Sequence, residues 1–304
     1  MRFTVTEQEN GKTVRAFLRA QGVSAGLCAR LKRLPEGIML NGERVTVRAV
    51  LKAGDSLSLA IEDEVGNEKI LPLEHPLDVL LETPELVVVN KPPFMPTHPS
   101  HGHYTDTLAN ALVWHYRDVT GFRPRFTNRL DRNTSGAVLI AKNALSASHL
   151  ASAMASGLIQ KTYYAVVCGT IDGETVLETG IRRQNESVIL REVCELGEGD
   201  RALTHVRPIA SKNGYTLVHL VPKTGRTHQL RVHLAHLGAP IVGDELYGTA
   251  SPLLSRHALH AATLAFPSPA SGETVRVFAP ISPDMAALID DLFGKEVRIE
   301  LERE

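Results

Sequence analysis

The chain has 304 residues, 43% of them hydrophobic, with three cysteines and a formal net charge of −1. It is about twice the ~150 residues of an ordinary domain and apolar enough for a packed core, which excludes a disordered chain, and no apolar run nears the roughly 18 residues of a membrane span. Cys28, Cys168 and Cys194 are scattered and form no CxxC pair, so neither a disulfide scaffold nor a cysteine-held metal is expected; the N-terminal stretch lacks the apolar core of a signal peptide, and the expected setting is the cytoplasm.

The first sixty residues read as a small unit. Helical spacing runs from Lys12 to Arg33 (Val14, Phe17, Leu18, then Leu27, Leu31, Leu34) and is split at Gln21-Gly22-Val23-Ser24. Asn41-Gly42 signals a hairpin, and Gly54-Asp55 turns the chain into a last strand, Ser56 to Ile61. The acidic run from Glu62 to Glu68 then reads as a linker. Three segments follow: a module at 1–62, a linker at 63–76 with few contacts expected across it, and a main domain at 77–304.

In that domain Leu86 to Lys91 is a short strand ended by Pro92-Pro93, and Asp106 to Arg117 is a helix with Asp106 as its N-cap. An apolar strand, Ala137 to Lys142, precedes a helix from Asn143 to Ser156 that Gly157 closes. Gln160–Cys168, Thr175–Ile181, Ser187–Val193, Ala202–Ile209 and Tyr215–Val221 read as strands. Consecutive strands with irregularly placed helices predict an α+β fold with a largely antiparallel mixed sheet and flanking helices.

The near-neutral total hides local asymmetry. Between residues 121 and 170 six Lys or Arg face a single acid, Asp131, which predicts a basic cleft. That acid lies in the densest polar cluster of the chain, Asn128-Arg129-Leu130-Asp131-Arg132-Asn133-Thr134-Ser135-Gly136, just before an apolar strand. Asp131 is therefore either a nucleophile held rigidly at a sheet edge or a structural Arg–Asp pair. A second cluster, Lys223 to His233, follows a strand and opens a helix, which puts Arg226 and Thr227 at a helix N-terminus suited to an anion or to an ordinary cap. Thirteen histidines include His98, His101 and His103, and His233 with His236, yet no HExxH occurs, so a metal site is not expected. No GxSxG elbow points to a serine hydrolase. On the strand Gln160–Cys168, alternation sends Tyr163 and Tyr164 to opposite faces, so that only one of them can line a cleft.

Taken together, Val89-Asn90-Lys91-Pro92, Asn128 to Gly136, Lys161-Thr-Tyr163-Tyr-Ala165, Gly225 to His233 and Ile241-Val-Gly-Asp-Glu-Leu-Tyr-Gly248 resemble the RluA family of pseudouridine synthases, in the family's order. Asn128 stands where such proteins commonly carry His, and Leu230 where Ile is usual. The resemblance implies a cofactor-free, metal-free isomerisation of uridine in structured RNA, ribosomal in preference to transfer RNA, by a monomer with no obligate protein partner and no membrane. It implies that the base is flipped out of its stack, that Asp131 is the essential carboxylate, attacking the sugar carbon or taking a sugar proton, and that Arg226 is its ion-pair partner. Tyr163 would stack on the base and assist the final proton removal, and Leu230 would wall the pocket. Arg129 would reach a phosphate or the gap left by the flipped base, and Arg132, Asn90, Lys91, Thr227 and His228 would contact substrate. Residues 1–62 resemble, more loosely, the RNA-binding module of the fourth small-subunit ribosomal protein, with Arg30, Lys32 and Arg33 as its RNA contacts. The rival reading is a non-catalytic RNA-binding or ribosome-assembly protein on the same fold.

Overall fold

The structure is a computed structural model that describes residues 1–61, 70–184 and 189–303. The first unit contains β1 (Arg2–Thr4), α1 (Val14–Ala20), α2 (Ala25–Arg33), β2 (Ile38–Leu40), β3 (Glu43–Arg44) and β4 (Ser56–Leu59). Thr13 and Ser24 cap the two helices by accepting from the amides of Ala16 and Leu27. The strands pair in the order β1-β4-β2-β3, and Asn41 takes the left-handed backbone that the tight turn between β2 and β3 requires. Its own core gathers Val14, Phe17, Leu18, Leu31, Leu51 and Leu57.

This unit is docked rather than tethered. Its core also takes in Leu145, on a helix of the main domain. Ser148 Oγ accepts from the Ser24 amide at 2.9 Å and donates to the Gly22 carbonyl at 2.8 Å, and His149 Nε2 lies 2.7 Å from the Gln21 carbonyl. Much of the acidic segment read as a linker lies outside the described residues. Beyond it, Leu71 and Leu73 are tied to Asn110, whose amide donates to the Leu71 carbonyl and whose carbonyl accepts from Leu73 N–H.

The remainder forms β5 (Val79–Glu82), β6 (Leu86–Lys91), α3 (Leu108–His115), β7 (Arg125–Phe126), β8 (Ser135–Ala141), α4 (Ala144–Ala155), β9 (Gln160–Cys168), β10 (Thr175–Arg183), β11 (Arg191–Cys194), β12 (Asp200–Lys212), β13 (Tyr215–Pro222), α5 (Gln229–His236), β14 (Leu259–Pro267), β15 (Thr274–Phe278), α6 (Pro283–Phe293) and α7 (Lys295–Leu301). One sheet runs β11-β10-β12-β13-β9-β14-β8-β6-β5, with β15 added on β14 and β7 on β8. Among the described residues its pairings are antiparallel except β8 with β14. The fold is α+β with a mixed sheet.

The apolar runs of β6 and β8 follow from burial on both faces. Val87, Val89, Val138 and Ile140 enter the core under α3 and α6, whereas Leu86, Val88, Ala137, Leu139 and Ala141 enter a second one with Leu150 and Phe266. Where β8 begins, Gly136 has φ +116° and an added Cβ would stand 2.2 Å from the Ala261 carbonyl oxygen, so only glycine lets the two parallel strands close.

Two expected boundaries shift. The N-cap of α3 is Thr107, in a capping box with Asn110, and not Asp106, whose carboxylate is bonded to His103 instead. The strand expected at Ser187–Val193 is described only as β11 from Arg191 onward, its first residues lying outside the described set.

Candidate active site

Asp131 stands in the loop between β7 and β8, and that loop is held from every side. Asn128 acts as a rung of the sheet: its Nδ2 donates to the Ala137 carbonyl at 3.1 Å and its Oδ1 accepts from the Leu139 amide at 2.8 Å. An amide serves both needs at once, which explains an asparagine at this position. Thr97 Oγ1 donates to the Leu130 carbonyl and accepts from its amide. On the far side of Asp131, the fully buried Arg256 donates to the Asn133 carbonyl at 3.0 Å, forms a two-pronged pair with Asp284, and reaches Ser135 and Ser282. Thr134 is bonded to His257 and Ser135 to His260. Burial pulls both histidines down to about 4, with Arg231 and Arg256 adding repulsion at His257 and Arg256 at His260, so both rings are neutral at pH 7.

The partner of Asp131 is Arg231, not Arg226. Arg231 is anchored by two bonds of 2.7 Å to Asp244, a carboxylate with no exposed side chain, and its remaining nitrogen donates to Asp131 Oδ2 at 3.1 Å. Burial opposes the Arg231 charge, but the Asp244 hydrogen bonds and the two negative charges outweigh it and raise its pKa. Asp244 moves the opposite way: burial resists its ionisation and Arg231 overcomes that, lowering it. Arg226 is exposed, and its Nε donates to the Arg201 carbonyl. The reason is local. His228 adopts φ +56°, α5 begins only at Gln229, and the Gln229 amide group caps the turn by accepting from Arg226 N–H and Thr224 Oγ1. Arg226 and Thr227 therefore precede the helix instead of opening its first turn, and the phase of α5 carries Arg231 inward.

His228 faces the same carboxylate. Its Nε2 lies 3.8 Å from Asp131 Oδ2 and its Nδ1 2.8 Å from the Tyr247 hydroxyl. That hydroxyl accepts from the Arg191 amide, so His228, Tyr247 and Arg191 form one hydrogen-bonded chain beside Asp131. Burial lowers the His228 pKa, Asp131 pulls it back, and Arg231 and Arg191 lower it further. Tyr163, on β9, is buried and its phenol feels the Asp131 charge; burial first and that charge second push it upward, so it holds its proton at neutral pH. Tyr164 points elsewhere, toward the Leu301 carbonyl on α7. Leu230 is buried in the core that also holds Tyr163.

The other expected contacts divide. Arg129 and Arg132 are exposed beside Asp131, and Arg132 Nε donates to the Phe94 carbonyl at 3.2 Å. Thr227 is exposed. Lys91 is not available to substrate: it is fully buried and its Nζ donates to the carbonyls of Pro92, Met95 and Arg132, which staples two loops together. Burial and Arg256 pull it down to about 7, against the raising effect of Asp131. The Asn90 amide is engaged within the fold, donating to Asp78 at 3.0 Å. In the first unit Lys32 and Arg33 are exposed, but Arg30 folds back to donate to the Ile61 carbonyl at 3.1 Å. Arg231, Asp244 and Tyr247 lie inside the motifs that carry the resemblance but have no local signal that singles them out, and nothing in the sequence around Arg256 points to it. Among the described residues no group of three or more His, Cys, Asp or Glu is placed to hold a metal, and no helix is long and apolar enough to cross a membrane.

This geometry coincides with a family match. The RNA pseudouridylate synthase family profile covers residues 85–236, and a Bacillus subtilis RNA pseudouridine synthase, YjbO, is 38% identical over 91% of this chain and 98% of its own length. The chain belongs to the RNA pseudouridylate synthase family. As a pseudouridine synthase it is also 32% identical to the ribosomal large subunit pseudouridine synthase D of Xanthomonas campestris, across 84% of this chain and 80% of that one. Human RNA pseudouridylate synthase domain containing 1 superposes with a TM-score of 0.57 at 28% identity, covering 70% of this chain and 87% of that one. The enzyme thus isomerises uridine in RNA, and the rival non-catalytic reading falls away.

Proposed function

We propose that this synthase acts on ribosomal RNA, with Asp131 as the reacting carboxylate and the target uridine turned out of its stack into the cleft beside Tyr163 and Leu230. The observation that carries the reading is the Asp131–Arg231–Asp244 chain: an acid still 29% exposed, gripped from behind by a guanidinium that a buried second acid holds in place. Such a group is positioned before substrate arrives, so none of its orientation has to be acquired in the transition state. In the reaction the N1–C1′ bond breaks, the uracil turns, a C5–C1′ bond forms, and the proton leaving C5 is matched by one gained at nitrogen. Isomerisation adds and removes no atoms and requires no external donor.

Tyr163 enters as a neutral phenol. To take the C5 proton it must pass its own proton onward, and Asp131 is the nearby acceptor of suitable charge. A stacked base cannot reach these groups, which is why extrusion belongs to the proposal. Ribosomal RNA is favoured because a relative named for the large ribosomal subunit aligns along most of both chains. The first unit, with exposed Lys32 and Arg33, would add backbone contacts to structured RNA in the cytoplasm. Two measurements test this. Pseudouridine mapping of total RNA from cells with and without the gene should show loss of a ribosomal site, and loss confined to transfer RNA would refute the substrate. Asp131→Asn, isosteric and uncharged, should abolish turnover with RNA affinity kept within a few-fold; normal turnover would refute the mechanism.

A further inference from the structure

Phe94 combines three properties that do not ordinarily occur together. Its backbone lies in the left-handed region, φ +65°, where a bulky side chain is an outlier. The residue is 45% exposed, although its neighbours Lys91, Met95 and Thr97 are buried. Its position is also fixed from beneath: Lys91 Nζ holds the Pro92 and Met95 carbonyls on either side, and the Phe94 carbonyl itself accepts from Arg132, the residue after Asp131. Packing does not account for an aromatic held outward on a strained, pinned turn, and strain maintained in this way marks a functional position.

We propose that Phe94 is a stacking platform for a nucleotide flanking the target uridine, seated at the rim of the cleft while the target itself enters beside Tyr163. The inference rests on Asp131 being the reaction centre. The neighbourhood favours nucleic acid over a protein partner, since the Phe94 carbonyl is bonded to the exposed cation Arg132 and a second exposed cation, Arg129, stands in the same Asp131 loop, both suited to phosphates next to a stacked base. A rigid platform also gives the RNA a fixed register when the target base leaves the stack.

The test is single-turnover pseudouridine formation with enzyme in excess over total RNA from cells lacking the gene, which contains the natural target whichever RNA it is. Half-saturating enzyme concentration and maximal rate are read separately for Phe94→Gly, Phe94→Leu and Phe94→Tyr, with Asp131→Asn alongside. Phe94→Gly relieves the left-handed strain while losing the covered half of the ring, so its melting temperature should stay within a few degrees of the parent. Its half-saturating concentration should rise roughly 5- to 150-fold, the range for one base–aromatic stack, with the maximal rate changed much less. Phe94→Tyr should restore saturation, and Phe94→Leu, which keeps apolar bulk but no π face, should not. Unchanged saturation in Phe94→Gly, or full rescue by Leu, would overturn the platform. Normal turnover by Asp131→Asn would instead overturn the reading of the reaction centre, so the two failures are distinguishable.

Discussion

Arg231 and Arg226 lie five residues apart in one motif, and the structure assigns them opposite consequences. Arg231 has a side chain only 6% exposed and divides its nitrogens between Asp244 and Asp131. Replacement by alanine would leave a buried Asp244 unpaired at a cost of ~3–5 kcal/mol and confuse stability with catalysis. Arg231→Lys keeps the charge, but a single ammonium cannot reproduce the two-pronged bond to Asp244 and still reach Asp131. The variant should therefore lose the 3.1 Å contact to Asp131, the carboxylate proposed to react. A hydrogen bond to a charged group is worth about 1.5–3 kcal/mol, so the maximal single-turnover rate should fall about 10- to 150-fold. Arg226→Ala removes an exposed side chain bonded to one backbone carbonyl, and its maximal rate should stay within about threefold, since surface changes of this kind are usually small. The assay is pseudouridine formation with excess enzyme, with thermal melts to confirm that both variants are folded. If folded Arg226→Ala loses turnover while Arg231→Lys keeps it, the ion-pair assignment fails, and the reading of α5 as the element that orients Asp131 fails with it.

The paired tyrosines give a second test: Tyr163→Phe should slow turnover ~10²–10⁴-fold if its hydroxyl moves a proton, whereas Tyr164→Phe should leave rates unchanged; the reverse result in single-turnover kinetics would refute the facing of β9. Removing residues 1–61 should lower the melting temperature, because exposing Leu145 alone costs roughly 1.5–3 kcal/mol, and should weaken binding to structured RNA with a smaller salt slope; a truncated chain that melts at or above the parent temperature would show that the docked interface contributes nothing. His233, His257 and His260 are each pulled down to about 4, mainly by burial. Between pH 6.5 and 4 the unfolded chain binds protons that the native one does not, so stability should fall with falling pH by about 1.4 kcal/mol per unit per histidine; equal urea midpoints at pH 7 and pH 5 would contradict this.

What the sequence made legible follows from what is local. The strand Gln160–Cys168 and the helix after Asn143 could be read because alternation, capping and a closing glycine act within a few residues. The acid at 131 stood out as the lone carboxylate in a basic stretch. Which arginine meets it did not, because the answer turns on the phase of α5, and one left-handed residue, His228, delays the helix start to Gln229. A helix beginning at Arg226 would present a different face. The place of Lys91 is hidden for a related reason: a lysine in a motif looks like a substrate contact, and the three carbonyls that bind it converge only when two loops more than thirty residues apart meet. Arg256 was invisible because it joins Asn133 to Asp284 across most of the catalytic domain. These misses share a physical origin. The Asp131 carboxylate is exposed on one side, so its position cannot come from its own burial and must come from its neighbours' backbone. The groups that fix that backbone are buried polar side chains reaching from distant strands and loops, each satisfied only in the assembled fold. The carboxylate proposed to react is thus written locally, while the rigidity that positions it is written across the whole chain.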